Sequence, residues 1–584
     1  MLVPPPRLTS QAGAPSFPAG IPQLATDHWI PGNRWLERFR AFEVGWLADA
    51  DGTTQRVPLV LEHAPLVPEQ GYQLLVQNDG SIRLRSATER GAWYGLLTLK
   101  QQVEVPTSSW SDITDHPALE HRGVMLDVSR CKVPTLDTLF ELIDWLAGLK
   151  INQVQLYTEH SFAYAGHEPV WRDSSPYTAE DIRRIDAYCH ARFIELVPNQ
   201  NSFGHFERWI KHPEYRHLAE SPDGFTTPWG TQRDCGSVLR PEPETLALLD
   251  DLYTQLLPNF RSRQFNIGCD ETFELGQGYS KARCDEQGRT RVYLDFFKQI
   301  HARAVRDGHT PMFWGDIIHS SPELIAELPR PITALEWGYE ADHPFAERCA
   351  DFARHDVPFY VCPGTSSWRS IVGRTTNMVA NVHEAVRVGQ HHGAVGCLMT
   401  DWGDLGHTQT FPISLPGFVL GASLAWNPSG LNESGELAAA LDQHALHTPG
   451  LGAWLLELGR VQDIMTSRAF NNSSPFFHLL FTKHYEAWSP TAEEQAACLA
   501  RYHELAEAFE PLAAACPDAR MVDELRLSLA QFRFSLTRDL ADLPGLLEHH
   551  RRVWLVRNRP GGLEESLGYF RAEQAAPHGD RVDR

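Results

Sequence analysis

The 584-residue chain predicts an α/β fold: a (β/α)8 TIM barrel preceded by a small α+β domain and followed by a helical C-terminal domain. Three observations carry this. From about residue 120 to 430, eight short apolar runs alternate with amphipathic stretches of helical period. Ahead of them lies a Pro-rich region with a hairpin signal. After about residue 431 strand signals fade and Leu, Ala, Glu and Arg dominate. The boundaries so drawn are 1–118, 119–430 and 431–584.

The first region carries two alternating runs, Tyr72-Gln-Leu-Leu-Val-Gln and Ser81-Ile-Arg-Leu-Arg-Ser, on either side of Asn78-Asp79-Gly80. Asn and Gly in that position favour a tight hairpin turn. A helical stretch from Gly91 to Val103 follows. The eight apolar runs are Val124–Val128, Gln153–Tyr157, Ile194–Pro198, Phe265–Gly268, Met312–Trp314, Thr333–Trp337, Phe359–Cys362 and Ala394–Met399. Between them, Leu136, Leu139, Phe140, Ile143 and Leu146 share one helical face, and Thr178-Ala-Glu-Asp181 resembles a capping box. Thr245 to Leu256, Val292 to Val305 and Asn381 to His391 supply further helices. Two connections are long, Thr158 to Tyr177 and Asn199 to Arg240. Both follow strands and therefore belong to the C-terminal face of the barrel, where long loops are usually functional. Helical period returns in Glu433–Leu446, Ala492–Glu507 and Val522–Leu540, and the last dozen residues read as a disordered tail.

Composition narrows the function. Lys and Arg number 52 against 74 Asp and Glu, a formal charge of −22, so nucleic acid and anionic membranes are not expected partners. No apolar run reaches the roughly 18–20 residues of a membrane span. The start, MLVPPPRLTSQAGAPS, has no basic segment followed by an apolar one. Ten cysteines without a CxxC do not make a disulfide scaffold. A soluble, cytoplasmic protein is expected. The 27 histidines form no HExxH, and no GxSxG or P-loop is present, so neither a metal nor a cofactor is expected. Seventeen tryptophans weakly favour carbohydrate, because aromatic rings stack on the apolar faces of sugars, although core packing explains most single tryptophans.

Catalytic side chains of such barrels sit at the C-terminal ends of strands. The first strand ends in Asp127 and Arg130, with Arg122 at its start. The third leads to Asn199, Asn201 and His205, and the fourth ends in Asp270-Glu271. The fifth, sixth and eighth end in Trp314-Gly-Asp316, Glu336-Trp337 and Asp401-Trp402-Gly-Asp404; the seventh carries Tyr360. Of three Asp-Glu pairs, Asp285-Glu286 and Asp523-Glu524 lie in polar or helical stretches, and only Asp270-Glu271 follows a strand. That pair is either catalytic or a helix cap. Three tryptophans converging on the same mouth read as the aromatic walls of a sugar pocket.

Several motifs resemble glycoside hydrolase family 20, the β-N-acetylhexosaminidases, over roughly residues 70 to 430. Arg122-Gly-Val-Met-Leu-Asp-Val-Ser-Arg130 resembles its first barrel strand, Asn201-Ser-Phe-Gly-His205 its active-site His loop, and Asn266-Ile-Gly-Cys-Asp270-Glu271 its Asp-Glu strand. Ala87-Thr-Glu-Arg-Gly-Ala-Trp-Tyr-Gly-Leu-Leu-Thr-Leu resembles the small domain that precedes such barrels. The resemblance implies Glu271 as acid and base and Asp270 as partner of the substrate acetamide. It further implies substrate contacts from Arg122, His205, Trp314, Trp337, Trp402 and Asp404, with Tyr360 as the tyrosine that holds the acetamide oxygen. The chain departs from the family pattern at Asn201, usually Asp, at Cys269, usually Gly, at Cys131-Lys132, often His-Phe, and at Asp404, usually Glu.

Neighbouring carboxylates on a strand cannot straddle a sugar as the usual retaining pair does, about 5 Å apart. They suit a scheme in which the substrate's own acetamido oxygen attacks the anomeric carbon. The expected activity is exo-acting removal of terminal β-linked N-acetylhexosamine from a glycan or glycoconjugate. The rivals are a barrel glycosidase for sugars lacking the acetamide and a non-catalytic carbohydrate-binding barrel. The C-terminal helices could pack on the barrel or form a homodimer interface.

Overall fold

The computed structural model describes residues 3–6, 8–10, 21–25, 56–77, 81–104, 112–431, 434–466, 473–477 and 490–575. Eight parallel strands form one sheet: His121–Asp127, Gln153–Tyr157, Glu195–Val197, Gln264–Asn266, Thr310–Trp314, Thr333–Trp337, Phe359–Cys362 and Gly396–Asp401. Spatial order runs from the fourth to the eighth, then the first to the third. A bridge between Asn199 and Asn266 joins the two ends, with the Asn266 N–H donating to Pro198 O at 2.9 Å. These strands read as near-continuous apolar runs because parallel strands are covered on both faces. Met125, Tyr157, Val197, Met312, Leu335 and Leu398 fill the barrel interior, so it is a packed core with chemistry confined to its rim.

The intervening helices start where their caps say they should. Thr135 accepts the Thr138 N–H and opens Leu136–Gly148; Thr178 and Asp181 form the reciprocal capping box of Ala179–His190. The preceding domain is a six-stranded sheet in the order Leu8–Ser10, Asp112–Asp115, Tyr72–Val76, Ile82–Ser86, Arg56–His63, Ile21–Ala25. Tyr72–Val76 and Ile82–Ser86 pair antiparallel as a hairpin, although the turn residues Asn78-Asp79-Gly80 lie outside the described residues. Helix Glu89–Glu104 packs on this sheet through Gly91, Gly95 and Thr98: a Cβ on Gly95 would lie 2.3 Å from the Leu84 side chain, and the Thr98 and Tyr72 hydroxyls meet at 2.6 Å.

The C-terminal helices, Ala492–Ala515, Ala519–Thr537, Leu543–Arg557 and Leu563–Ala575, pack on the barrel. The Gln531 amide donates to Thr408 O at 3.1 Å, Thr410 and Ser528 hydroxyls meet at 2.7 Å, and Thr135 N–H donates to Arg557 O at 2.9 Å. They thereby brace the loops that follow the first and eighth strands. The end of the expected disordered tail, from residue 576, lies outside the described residues. Among the described residues no helix is long and apolar enough to cross a membrane.

Candidate active site

The loop after the fourth strand is bent sharply. Gly268, Cys269 and Glu271 have φ of 68°, 71° and 49°. A Cβ on Gly268 would lie 2.6 Å from the Asn201 side chain, so only glycine fits there. Cys269 adopts a left-handed backbone that disfavours any side chain, at the position where family 20 usually has glycine. The strained segment is held from several sides. Asn201 accepts the Cys269 N–H at 3.2 Å, Tyr293 donates its hydroxyl to Cys269 O at 2.9 Å, and Asp316 accepts the Glu271 N–H at 3.0 Å. Strain at Cys269 and at Glu271, itself one of the carboxylate pair, marks a functional segment.

His205 organises the pair. Its Nε2 lies 3.2 Å from Asp270 Oδ2 and 3.5 Å from Glu271 Oε2, and its Nδ1 lies 3.7 Å from Glu159 Oε1. Asn201 Nδ2 donates to the other Asp270 oxygen at 2.7 Å. An amide here gives Asp270 a donor without adding the negative charge that an aspartate would bring. Burial alone would depress the His205 imidazole, but the charge and hydrogen bond of Asp270, helped by Glu159, raise it to about 9. Burial likewise opposes ionisation of Asp270, yet His205 and Asn201 hold its carboxyl below the usual range. Glu271 goes the other way: burial, then the charges of Asp270 and Asp404, push it up against His205 and Arg130. Two adjacent carboxyls are thus driven apart, one kept ionised and one moved toward its protonated form, the pattern of paired acid and charge-stabilising roles.

Arg130 faces them across the mouth. Its guanidinium lies 3.3 Å from Asp127, 3.1 Å from Glu159, 3.9 Å from Asp404 and 3.5 Å from His205 Nδ1, and it stacks over Tyr157 and Trp402 with centroids at 4.6 and 5.0 Å. Asp127 also accepts the backbone N–H groups of Ser129 and Gly403 and is pushed up to about 6, mainly by burial. The aromatic wall is continuous. Trp402 packs on Tyr157 at 4.6 Å and on Trp314 at 5.9 Å, and its indole N–H donates to Tyr339 Oη at 2.7 Å. Tyr339 in turn stacks on Trp337 at 5.1 Å and meets Trp368 edge-on at 5.1 Å. The Trp337 N–H donates to Asp316 at 3.4 Å, tying the wall to the Glu271 backbone.

The structure therefore brings together Asp270, Glu271, His205, Trp337, Trp402 and Asp404, with Trp314 buried behind Trp402. Two expected substrate contacts lie elsewhere. Arg122 is the second residue of the first strand, at the opposite end of the barrel, and is 1% exposed. Its guanidinium donates to Lys150 O, Gln70 Oε1, Leu119 O, Glu120 O and Tyr94 Oη, all at about 3 Å, which fastens the small domain to the barrel base. Enclosed at the base, it has no path to the mouth. Tyr360 is the second residue of its strand; it stacks on His121 at 5.5 Å and accepts the Gln153 amide at 3.3 Å, both residues that start strands. It too lies in the lower layer of the barrel. Arg130 and Tyr339 occupy the positions at the mouth that Arg122 and Tyr360 were expected to fill. Glu159 and Tyr339, each two residues beyond a strand, were not singled out from the sequence, although the strand-end rule reaches both.

His205, Asp270 and Glu271 place one potential ligand atom each within 4.8 Å of one another. A cation there would have to displace the proton that Asp270 and Glu159 hold on His205.

Residues 119–365 match the family model described as glycosyl hydrolase family 20, catalytic domain. The matched stretch contains the first seven strands of the barrel. Among curated relatives, Hexosaminidase D of Homo sapiens is 28% identical over 222 residues, 36% of this chain and 43% of that protein. A beta-hexosaminidase of Akkermansia muciniphila is 26% identical over 286 residues, 43% of this chain and 57% of that protein. The chain spans about half the length of the curated relatives it matches. Two solved structures share this fold. The Streptomyces plicatus beta-hexosaminidase, a mutant in complex with product GlcNAc, superposes with a TM-score of 0.59 at 19% identity, covering 78% of this chain and 95% of that one. The exo beta-N-acetylglucosaminidase of Vibrio harveyi, in complex with N-acetylglucosamine, gives 0.59 at 16% identity and covers 78% of each chain.

Proposed function

We propose that the protein is an exo-acting glycoside hydrolase that removes terminal β-linked N-acetylglucosamine or N-acetylgalactosamine by a retaining, substrate-assisted mechanism. One observation carries the reading: Asp270 and Glu271 share a single imidazole on one flank of the mouth, with opposite protonation tendencies. The acetamido oxygen of the substrate attacks the anomeric carbon while the bond to the leaving oxygen breaks and Glu271 gives that oxygen its proton. The Glu271 carboxylate then takes a proton from water as the water oxygen opens the cyclic oxazolinium, returning a β-configured product. Asp270, kept ionised by His205 and Asn201, accepts the acetamide N–H and stabilises the charge that develops on it.

The wall supplies the remaining contacts. Tyr339 already accepts the Trp402 N–H, and its own proton can be directed at the acetamide oxygen. Trp402 and Trp337 enclose the acetyl methyl and exclude water. Arg130 and Asp404 meet the outer sugar hydroxyls as donor and acceptor. The names of the relatives and the N-acetylglucosamine held by the two bacterial structures support the substrate class. Turnover of a para-nitrophenyl β-N-acetylglucosaminide, with the β-anomer released first by proton NMR, is the expected result. Release of the α-anomer first, or no turnover of this or the galacto compound, contradicts the proposal.

A further inference from the structure

Trp229 is the only exposed tryptophan among the described residues, at 50% exposure. It stands at the tip of a small hairpin, Phe225–Thr226 paired with Gln232–Arg233, inside the long connection after the third strand. The tip is closed by four hydrogen bonds: Thr227 N–H to Thr231 O at 2.9 Å, Thr227 Oγ1–H to Thr231 O at 3.1 Å, Thr231 N–H to Thr227 Oγ1 at 2.9 Å and Gly230 N–H to Thr227 O at 3.0 Å. At its base Gly224 has φ of 98°, and a Cβ there would sit 2.0 Å from Arg233 O. The ring is held out in water by a preordered backbone, so little chain entropy remains to be lost when something binds to it.

The hairpin is fastened to the loop that carries the acid. Thr226 N–H donates to Gln277 Oε1 at 3.1 Å, and Gln277 Nε2 returns bonds to Thr226 O at 2.9 Å and Phe273 O at 3.3 Å. Deeper down, Glu274 accepts the N–H groups of Ser221 and Ser237 at 3.2 and 2.7 Å. Trp229 meets the ring of half-buried Phe273 edge-on, with centroids 6.1 Å apart. Phe273 N–H donates to Glu271 O at 2.8 Å. Phe273 thus stands two residues along the chain from Glu271 with Trp229 packed on it, and neither ring belongs to the Trp402–Tyr339–Trp337 wall that the acetamide uses.

We propose that Trp229 and Phe273 form the platform that receives the sugar ring on the leaving side of the scissile bond, so that the enzyme is built for glycans whose penultimate residue presents an apolar pyranose face. The inference rests on the proposed hydrolase activity. A general acid must reach the leaving oxygen, so whatever adjoins the acid on the solvent side faces the group that departs. A sugar ring stacked on Trp229 buries apolar carbon on both partners and holds that oxygen against Glu271. Binding energy gathered there, away from the reacting bond, serves the chemical step as well as affinity.

The test compares two substrates that differ only on the leaving side: N-acetyl-β-glucosaminyl fluoride, which has no ring there, and N,N′-diacetylchitobiose. The wild type, Trp229→Ala, Trp229→Phe and Phe273→Leu are measured with each, alongside thermal melts. Trp229→Ala is expected to lose about 10-fold or more in kcat/KM on the disaccharide, the scale on which hydrophobic contacts to a substrate separate such values. On the fluoride it should stay within about 2-fold of the wild type, because no contact made there is lost. Trp229→Phe, which keeps a ring, should recover most of the disaccharide rate. Equal losses on both substrates, or none on the disaccharide, overturn the platform. A wild type that turns over neither substrate refutes the hydrolase reading itself.

Discussion

Arg122 and Arg130 stand at the two ends of the first barrel strand, and both are largely enclosed, yet their surroundings are opposite in kind. Every acceptor of Arg122 is neutral: three backbone carbonyls, an amide and a phenol. Burial dominates and lowers its pKa. Arg130 sits among Asp127, Glu159 and Asp404, whose charges outweigh burial and raise its pKa well above the usual value. The lower arginine is a fastener, bound to neutral groups and closed to solvent. The upper one is a charge held in place by other charges, with a fifth of its side chain still open to the mouth. Burial thus separates the ends poorly; the nature of the partners separates them well.

The largest effect should come from the upper end. Glu271→Gln keeps the shape and removes the transferable proton, so turnover of an unactivated disaccharide should fall by about 100- to 10,000-fold. Its melting temperature should stay near that of the wild type. Near-normal rates would remove Glu271 from its role. Next comes the arginine pair. Arg130→Ala should lower kcat/KM by about 10- to 100-fold, the worth of hydrogen bonds to charged groups. Arg122→Ala should instead cost about 3 kcal/mol or more of stability, since several buried acceptors lose their donor. The kinetics of the folded fraction should remain intact. Denaturant melts beside kinetics on both variants decide, and an exchange of the two phenotypes would reverse the assignment of the ends.

The legible part of the molecule was its frame. All eight apolar runs overlap strands because a parallel strand covered on both faces is apolar at most of its positions. Asp270-Glu271 was legible for a related reason, being a pair of charges placed directly after such a run. Arg122 and Tyr360 were misread because motif likeness fixes a place in the chain without fixing a height in the barrel. Both lie early in their strands, which run from base to mouth, and this alone places them at the base. Glu159 and Tyr339 stand within reach of the strand-end rule but in no motif that marks them, and their partners are set by tertiary contacts.

Protonation at the mouth gives a smaller effect with a definite sign. Glu271 works as an acid only while protonated, so activity falls as pH rises through its raised pKa. Asp270 contributes to that rise. Asp270→Asn should therefore move the alkaline limb of the pH profile of its residual activity to lower pH; a shift upward would contradict the coupling. His205 adds a stability term. Its pKa is raised to about 9, so its stabilisation is complete below about 6.5 and is lost as pH climbs through about 9. His205→Gln should flatten that part of the stability curve, and an unchanged slope would remove the charged pair from the account. The smallest effect concerns Cys269. Cys269→Gly relieves about 1 kcal/mol of left-handed strain and gives up a buried thiol, so stability should change by less than about 1 kcal/mol with kcat preserved. A large loss would mean that the thiol packing, and not the backbone, shapes the turn.

The central claim is that the substrate supplies its own nucleophile above Asp270, and one comparison addresses it directly. A para-nitrophenyl β-N-acetylglucosaminide, the matching β-glucoside and the matching free-amine glucosaminide share a leaving group and differ only at the carbon bearing the acetamide. The account predicts that kcat/KM falls by orders of magnitude when the acetyl group is absent, and that a thiazoline mimic of the cyclic intermediate inhibits strongly, as sites complementary to a high-energy species do. Comparable turnover of the plain β-glucoside, with no inhibition by the thiazoline, would contradict it.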